Sequence, residues 1–410
     1  MKFDSVVLGG GIVGVSVALQ LQWRGLAVAL VDRKAPGNET SLGNAGLIQR
    51  EGVYPYAFPR DFCSLARYAC NRATDVRFHP PAMPRLMPFL MRYWHHSRAD
   101  RHARIARAYS TLIEHCVTEH RAMIEAAGAQ ALLRTGGWMK VFRTEGALNR
   151  AIAEARQWEA EYGVEYDALD RVALKAAEPS LGSTLVGAVR YTLSDSVSDP
   201  SGLVTAYAKL FERLGGKVLI GDAGTLEPSW CVMTQDGPVE AKSAVVAMGP
   251  WSGDVASKFG YNLPLAVKRG YHMHYAPAHG AKLNQPVLDA EVGYMITSMV
   301  RGIRLTTGVE LGHRDAAKTP VQLEAVEPFA RDIFPLGARV DAEPWLGRRP
   351  CTPDMMPIIS EAPRHRDLWF AFGHAHHGLT LGPVTGRLIA EMITGEQTVV
   401  DPKPFRVDRF

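Results

Sequence analysis

The residues best suited to chemistry stand near the start of the chain. Gly9-Gly10-Gly11-Ile12-Val13-Gly14 fits G-x-G-x-x-G, and Asp32 follows 21 residues after Gly11. Each glycine at this spacing has a mechanical task. Gly9 permits a tight turn, Gly11 leaves the backbone open to a pyrophosphate, and Gly14 lets a helix pack closely on a strand. The free N–H groups and positive dipole end of a following helix suit phosphates. An acid at position 32 can accept hydrogen bonds from ribose hydroxyls and disfavours a 2′-phosphate. The chemistry implied is dinucleotide binding, with FAD or NAD favoured over NADP.

The elements needed to position these residues are legible around them. Asp4–Leu8 is a short apolar run that reads as a strand, and Val15–Arg24 carries apolar residues at helical spacing before Gly25. Ala27–Val31 is a second buried-strand run, ended by Asp32. Six prolines between 55 and 88 (Pro55, Pro59, Pro80, Pro81, Pro84, Pro88) break the next stretch, leaving short helices at Phe62–Asn71 and Leu86–Tyr93. A longer helix runs from Ala103 to Ala127 with Ile105, Tyr109, Leu112, Cys116 and Met123 on one face. Gly136–Phe142 and Val189–Tyr191 read as strands around a polar helix, Leu148–Tyr162. Asp199 caps a helix with Pro200 at its first position, closed by Gly215-Gly216 before the strand Lys217–Ile220. Asp236-Gly237 is a hairpin turn, and Ala244–Met248 a buried strand. Residues 264–311 alternate like an antiparallel sheet. Pro320–Phe334 follows as a helix with Pro328 at a turn within it, then the strands Pro357–Ile359 and Leu368–Phe372 and a helix over Val384–Thr394.

At 410 residues, with 47% hydrophobic and 21% charged residues, the chain reads as a soluble globular protein of two or three domains, or two interleaved ones. A net charge of +4 is too small to argue for nucleic acid. The five cysteines form no C-x-x-C pair, and their odd number fits a reducing compartment. The fold begins by residue 3, which leaves no room for a cleavable signal, and no apolar run reaches bilayer-spanning length. The expected setting is cytoplasmic. A basic stretch (Arg92, His95, His96, Arg98, Arg101, His102, Arg104, Arg107) follows the apolar Leu86–Met91. It reads first as a solvated helix face, with a peripheral contact to the inner face of the membrane left open.

The segment from Arg33 to Gly46, RKAPGNETSLGNAG, resembles the same region of the D-amino-acid oxidase (DAO) family of FAD-dependent oxidoreductases. It is most similar to the bacterial D-amino acid dehydrogenase and D-hydroxyproline dehydrogenase branch. Three later segments match in order: Gly249-Pro250-Trp251-Ser252 for G-x-W-S, Gly347 to Asp354 for G-x-R-P-x-T-P-D, and Gly373 to Thr380 for G-H-x-x-x-G-[LIW]-T. The resemblance spans nearly the whole chain and is weakest over 50–190. It implies a fold of the α/β and α+β class: a Rossmann-type FAD-binding domain (1–85, 190–262, 345–410) interleaved with an antiparallel-sheet substrate domain (86–189, 263–344), as in glutathione-reductase-like proteins.

The same resemblance implies a cofactor set. Gly9, Gly11, Ile12, Val13, Gly14, Asp32 and Arg33 come from the first unit, and Thr40, Ser41, Asn44, Ala45, Gly46 and Leu47 from the segment after it. Val218 would meet adenine through its backbone, with Gly249 and Trp251 under the cofactor and Gly373, His374, Gly378, Leu379 and Thr380 at the flavin pyrimidine. Relatives that attach flavin covalently use a cysteine where this chain has Gly347, so FAD is expected to be non-covalent.

Arg349 corresponds to the arginine that holds the substrate carboxylate, a task suited to a guanidinium that makes two parallel charge-assisted hydrogen bonds. Arg348 must then point the other way if this is a strand. Tyr294 matches a tyrosine whose hydroxyl reaches the same carboxylate, Tyr271 is a candidate for the pocket wall, and His376 for substrate selection. His374, His376 and His377 lack a nearby acid or cysteine, so no metal is expected. The activity implied is oxidative deamination of an amino acid, with the D-isomer favoured: hydride passes from the α-carbon to flavin N5, and an imine then gives a 2-oxo acid. Electrons would pass to a quinone or another acceptor. Two alternatives stay open: a glycine- or sarcosine-type amine oxidase releasing peroxide, and a flavin subunit of a multi-chain dehydrogenase.

Overall fold

The computed structural model describes all 410 residues. Lys2–Leu8 lies between Val28–Asp32 and Gly237–Val246, parallel to both. Lys217–Asp222 extends the parallel set on one side and His365–Phe372 on the other, with Ile358–Ala362 antiparallel at the edge. Cys231–Thr234 completes the seven strands by pairing antiparallel with Lys217–Asp222 and Gly237–Val246. Both faces are covered, as the unbroken apolar runs require. Val7, Leu30 and Val245 face the helices Ile12–Trp23, Ala99–Ala127, Pro200–Arg213 and Gly378–Thr394. Val6, Leu8, Ala29 and Val31 face Val255, Ala256 and Tyr261 on the other side. Asp199 caps its helix as its side chain predicts, accepting from the Gly202 amide at 2.9 Å.

An eleven-stranded sheet forms the second layer. Its centre is the long strand Ala266–Pro277, which pairs with Gly302–Thr306, Val309–Leu311, Leu336–Arg339 and Trp345–Cys351. The helix Val321–Ile333 buries Leu323, Val326, Ala330 and Ile333 against one face of it. The other face looks toward the first sheet.

The observed layers depart from the expected division in three places. Val76–Phe78 and Trp345–Cys351 both belong to the second sheet. The helix Ala99–Ala127 packs in the cofactor layer, because its stripe of Tyr109, Leu112, Ile113 and Cys116 is buried there with residues of the first sheet. Two helices also differ. Pro328 lies inside Val321–Ile333, on a side where the i−4 residue Glu324 is exposed. The last long helix starts at Gly378 and contains Pro383. Proline removes the amide that would bond the Leu379 carbonyl, and the His120 ring fills the gap, with Nε2 at 2.7 Å from that oxygen.

The helices Ile12–Trp23 and Gly378–Thr394 cross at very short range. A β-carbon at Gly386 would stand 2.6 Å from the Ser16 carbonyl carbon, and one at Gly382 would stand 2.7 Å from Ile12 Cγ1. Gly386→Val is therefore expected to force the helices apart and cost about 1–3 kcal/mol by overpacking. A drop in thermal midpoint with loss of FAD retention would show it; an unchanged midpoint would contradict the crossing.

Candidate active site

The glycine turn divides its work between packing and openness. Gly9 has φ +115°, and a β-carbon there would lie 2.5 Å from the Ala247 carbonyl oxygen. A β-carbon at Gly14 would lie 1.9 Å from the Gly9 carbonyl oxygen. At Gly11 the nearest atom would be Ser41 Oγ at 3.4 Å. The first and third glycines are thus demanded by the protein, while the second leaves space where a phosphate must approach. Gly11 caps the helix Ile12–Trp23 without a side-chain partner, so the helix offers free amides and a positive dipole end to a ligand. Asp32 is held in place: its Oδ2 accepts from Gly10 N at 2.5 Å and its Oδ1 from Lys34 N at 3.2 Å.

These groups open into a cleft between the two sheets. Its far wall is the Trp345–Cys351 strand, and its floor at that end is the start of the Gly378–Thr394 helix. Arg349 crosses Gly270, where a β-carbon would stand 2.7 Å from both terminal guanidinium nitrogens. Its Nη1 donates to the Gly308 carbonyl at 2.9 Å and the Arg269 carbonyl at 3.5 Å, and Nη2 to the Thr307 carbonyl at 3.4 Å. No carboxylate pairs with it, and burial pushes its pKa down. Arg348 points to the opposite side, with Nε donating to the Arg314 carbonyl at 2.9 Å.

A model of the FAD-dependent oxidoreductases known as DAO matches residues 4–392. The chain belongs to the DAO family. It is 29% identical to a D-amino-acid oxidase of Bradyrhizobium diazoefficiens over 98% of both chains. It is 28% identical to D-amino acid dehydrogenase 2 of Mesorhizobium japonicum, covering 97% of this chain and 98% of that one. Among solved structures, glycine oxidase from Geobacillus kaustophilus superposes with a TM-score of 0.75 at 21% identity, over 100% of this chain and 99% of that one. L-Proline dehydrogenase from P. horikoshii gives 0.75 at 19% identity, over 100% and 98%. These two share the fold.

As a DAO-family protein the chain is an FAD-dependent oxidoreductase, and its cleft fits that cofactor. Gly9, Gly11, Ile12, Val13, Asp32 and Arg33 line one end, with Thr40, Ser41 and Asn44 beside them. Ser41 Oγ accepts from Ile12 N at 3.0 Å, tying the second segment to the helix start. Gly249 and Trp251 line the cleft too, and the Arg33 guanidinium stacks 4.1 Å from the Trp251 ring centroid. His374, Gly378 and Leu379 line the other end.

Several expected residues act from behind the lining. Gly14 is the packing glycine described above. Gly46 has φ +82° with a β-carbon position 2.3 Å from the Val197 carbonyl oxygen, and Gly373 has φ +84°. Leu47 and Ala45 pack into the core of the cofactor layer. Thr380 Oγ1 donates to the Leu47 carbonyl at 3.2 Å and accepts from Gln49 N at 3.3 Å, locking helix to loop. Val218 pairs in register with Leu30 and does not line the cleft; Asp222, Ala223 and Gly224 line it at the end of that strand. Arg304, which the sequence reading missed, donates to the Leu42 and Asn44 carbonyls and so fixes the loop beside the cofactor. An arginine at an alternate position of an otherwise apolar strand was the available signal.

The expected tyrosines need correction. Tyr294 is buried on the face covered by Val321–Ile333, and its hydroxyl donates to the Phe329 carbonyl at 3.0 Å. Arg349 projects from the opposite face, so Tyr294 cannot share a ligand with it. Strand alternation is the reason: Tyr294 and Ile296 share the helix-covered face, and Met295 takes the other. Tyr271 borders the cleft, but its hydroxyl donates to Glu310 Oε1 at 3.0 Å and lies 3.2 Å from Arg269 Nη2, again on the far face. His376 does line the cleft; its ring lies tilted against Tyr56 with centroids 4.7 Å apart, and its buried Nδ1 has no hydrogen-bond partner.

The histidines of this region go to separate partners. His374 Nε2 lies 2.9 Å from Thr385 Oγ1, and His377 Nδ1 lies 2.7 Å from Tyr109 Oη. His272, His274 and Asp341 come close enough for a metal, yet His274 Nδ1 bonds Asp341 at 2.7 Å and its Nε2 accepts from Arg304 Nε at 3.0 Å. With both nitrogens engaged and a guanidinium alongside, a second cation is repelled.

Burial holds His374 at about 3, His377 and His120 at about 4, and His272 at about 2, against an ordinary 6.5. These rings stay neutral when folded but take up protons once unfolded, so stability is lost as pH falls from 6.5 toward about 4. The expected loss is about 1.4 kcal/mol per pH unit for each ring. Urea midpoints at about pH 7.5 and about pH 5 measure it, and equal midpoints would refute it.

Proposed function

We propose that the chain catalyses FAD-dependent oxidative deamination of an amino acid, with the D-isomer as substrate, Arg349 as the carboxylate seat and His376 facing the amine. The observation that carries this reading is the Arg349 guanidinium itself. Three backbone carbonyls orient it without neutralising it, and it remains accessible from the cleft. Such a group is built to receive a carboxylate through two parallel charge-assisted hydrogen bonds. The D-isomer is favoured by the names of the two curated relatives.

Bound FAD supplies a hydride acceptor. The protein's part is to place the substrate α-carbon within about 3–3.5 Å of the acceptor atom, by the two-point hold on the carboxylate. The amine must be neutral for its lone pair to assist departure of the α-hydrogen. His376 suits this, since burial, then Arg349 and Lys268, push its pKa far down and keep the ring neutral, with Nδ1 free of any protein partner. The imine product hydrolyses in water to a 2-oxo acid and ammonia.

Anaerobic mixing of the FAD-loaded enzyme with D-, L- and N-alkyl amino acids, followed by flavin absorbance, tests the reading. Bleaching by D-amino acids supports it, and bleaching by none sinks it. Peroxide on readmission of air marks an oxidase; its absence marks transfer to another acceptor such as a quinone. Arg349→Met is expected to raise the half-saturating amino-acid concentration by the equivalent of about 2–5 kcal/mol, with FAD content unchanged. An unaltered value would remove Arg349 from the site.

A membrane surface is the favoured place for acceptor exchange, because of one exposed region. Between residues 60 and 98 there are seven arginines against two acids. The helices Phe62–Ala69 and Met83–His96 expose Phe62 (83%), Met91 (64%) and Trp94. Apolar tips beside arginines suit anionic lipid. No helix is long and apolar enough to cross a membrane. Charge reversal at Arg85, Arg92 and Arg98 is expected to abolish sedimentation with anionic vesicles at low salt; persistent sedimentation would exclude this surface.

A further inference from the structure

A buried cation stands beside Arg349, just behind the residues that line the cleft. Lys268 is 6% exposed and sits directly across from Arg349 in the antiparallel pair Ala266–Pro277 and Trp345–Cys351. The two residues share a face, since Arg349 lies over Gly270, two residues along from Lys268. Lys268 Nζ lies 3.1 Å from Tyr93 Oη, 3.8 Å from Met355 Sδ and 4.3 Å from the Tyr93 ring centroid. Tyr93 in turn donates to the carbonyl of Tyr56, whose ring packs against His376.

None of these partners carries a negative charge. The nearby acids are engaged elsewhere: Glu310 with Arg269, Asp354 with Arg409, and Glu51 with Gln49 and Ser194. A buried positive charge without a counter-ion is costly, and an α-carboxylate on Arg349 leaves Lys268 unanswered.

We propose that the site is built for an amino acid with an acidic side chain, its α-carboxylate on Arg349 and its distal carboxylate on Lys268. Directly opposed residues of an antiparallel pair have α-carbons about 4.5–5.5 Å apart. The two side chains start from opposed positions on one face, an arrangement that a dicarboxylic amino acid of the aspartate or glutamate type would bridge. The inference rests on the amino-acid reading above and narrows it.

The test compares charged and isosteric neutral substrates on the FAD-loaded enzyme: aspartate against asparagine and glutamate against glutamine, in the reactive enantiomer, by anaerobic flavin reduction. The acid is expected to exceed its amide in efficiency by at least about 30-fold. Lys268→Met should remove that preference, and Lys268→Arg should restore most of it. Titration with succinate against butyrate, read by the perturbed flavin spectrum, asks the same of binding alone. Succinate should bind tighter to the native protein, with the difference lost in Lys268→Met. Equal efficiency of acids and amides, with equal binding of succinate and butyrate, overturns the inference while leaving the amino-acid reading intact. Failure of every amino acid to bleach the flavin removes the reading on which it rests.

Discussion

Seven consecutive pairings, from Ala266 with Cys351 to His272 with Trp345, hold the substrate end of this protein together. They bring a segment from near the C-terminus into the centre of the second sheet. One face of the paired strands carries Lys268, Arg349 and His272, of which Arg349 and His272 line the cleft. The other carries Tyr271, Met273 and Leu346 into the core under Val321–Ile333. Gly270 makes the arrangement workable, because any side chain there would occupy the path of the Arg349 guanidinium. A slip of one residue would exchange the faces and bury the wrong set.

At the cofactor end the constraint is closeness. Glycines at 9, 14, 382 and 386 each stand where a β-carbon would overlap backbone or a neighbouring side chain. Their effect is to stack the first helix, the first strand and the last long helix tightly enough that two helix starts face one cleft. Both starts lack side-chain caps, so their amides are available to phosphate at one end and to a flavin oxygen at the other.

Electrostatics then distinguishes the two ends. The nucleotide end is mixed in sign, with Asp32 and Glu39 beside Arg33 and Lys34. The substrate end has cations and neutral histidines but no free carboxylate. Carbonyl dipoles steady Arg349 and a phenol steadies Lys268, and neither cancels a charge. The cleft therefore keeps a net positive field around Arg349.

The local elements and the cofactor class were legible in the residues themselves. A glycine turn, a capped helix start at Asp199 and a hairpin at Asp236-Gly237 are decided by backbone sterics and short-range hydrogen bonds, which act over a few residues. Alternation showed that Arg348 and Arg349 must diverge. What the chain alone left undecided was which face of each strand met a helix and which met the cleft. That choice placed Tyr294 with Phe329 instead of with Arg349, drew the Ala99–Ala127 helix into the cofactor layer, and set Lys268 beside Arg349 across 81 residues of sequence. Long-range burial makes these decisions, because an apolar stripe is satisfied by whichever surface it reaches, and only the folded chain specifies that surface.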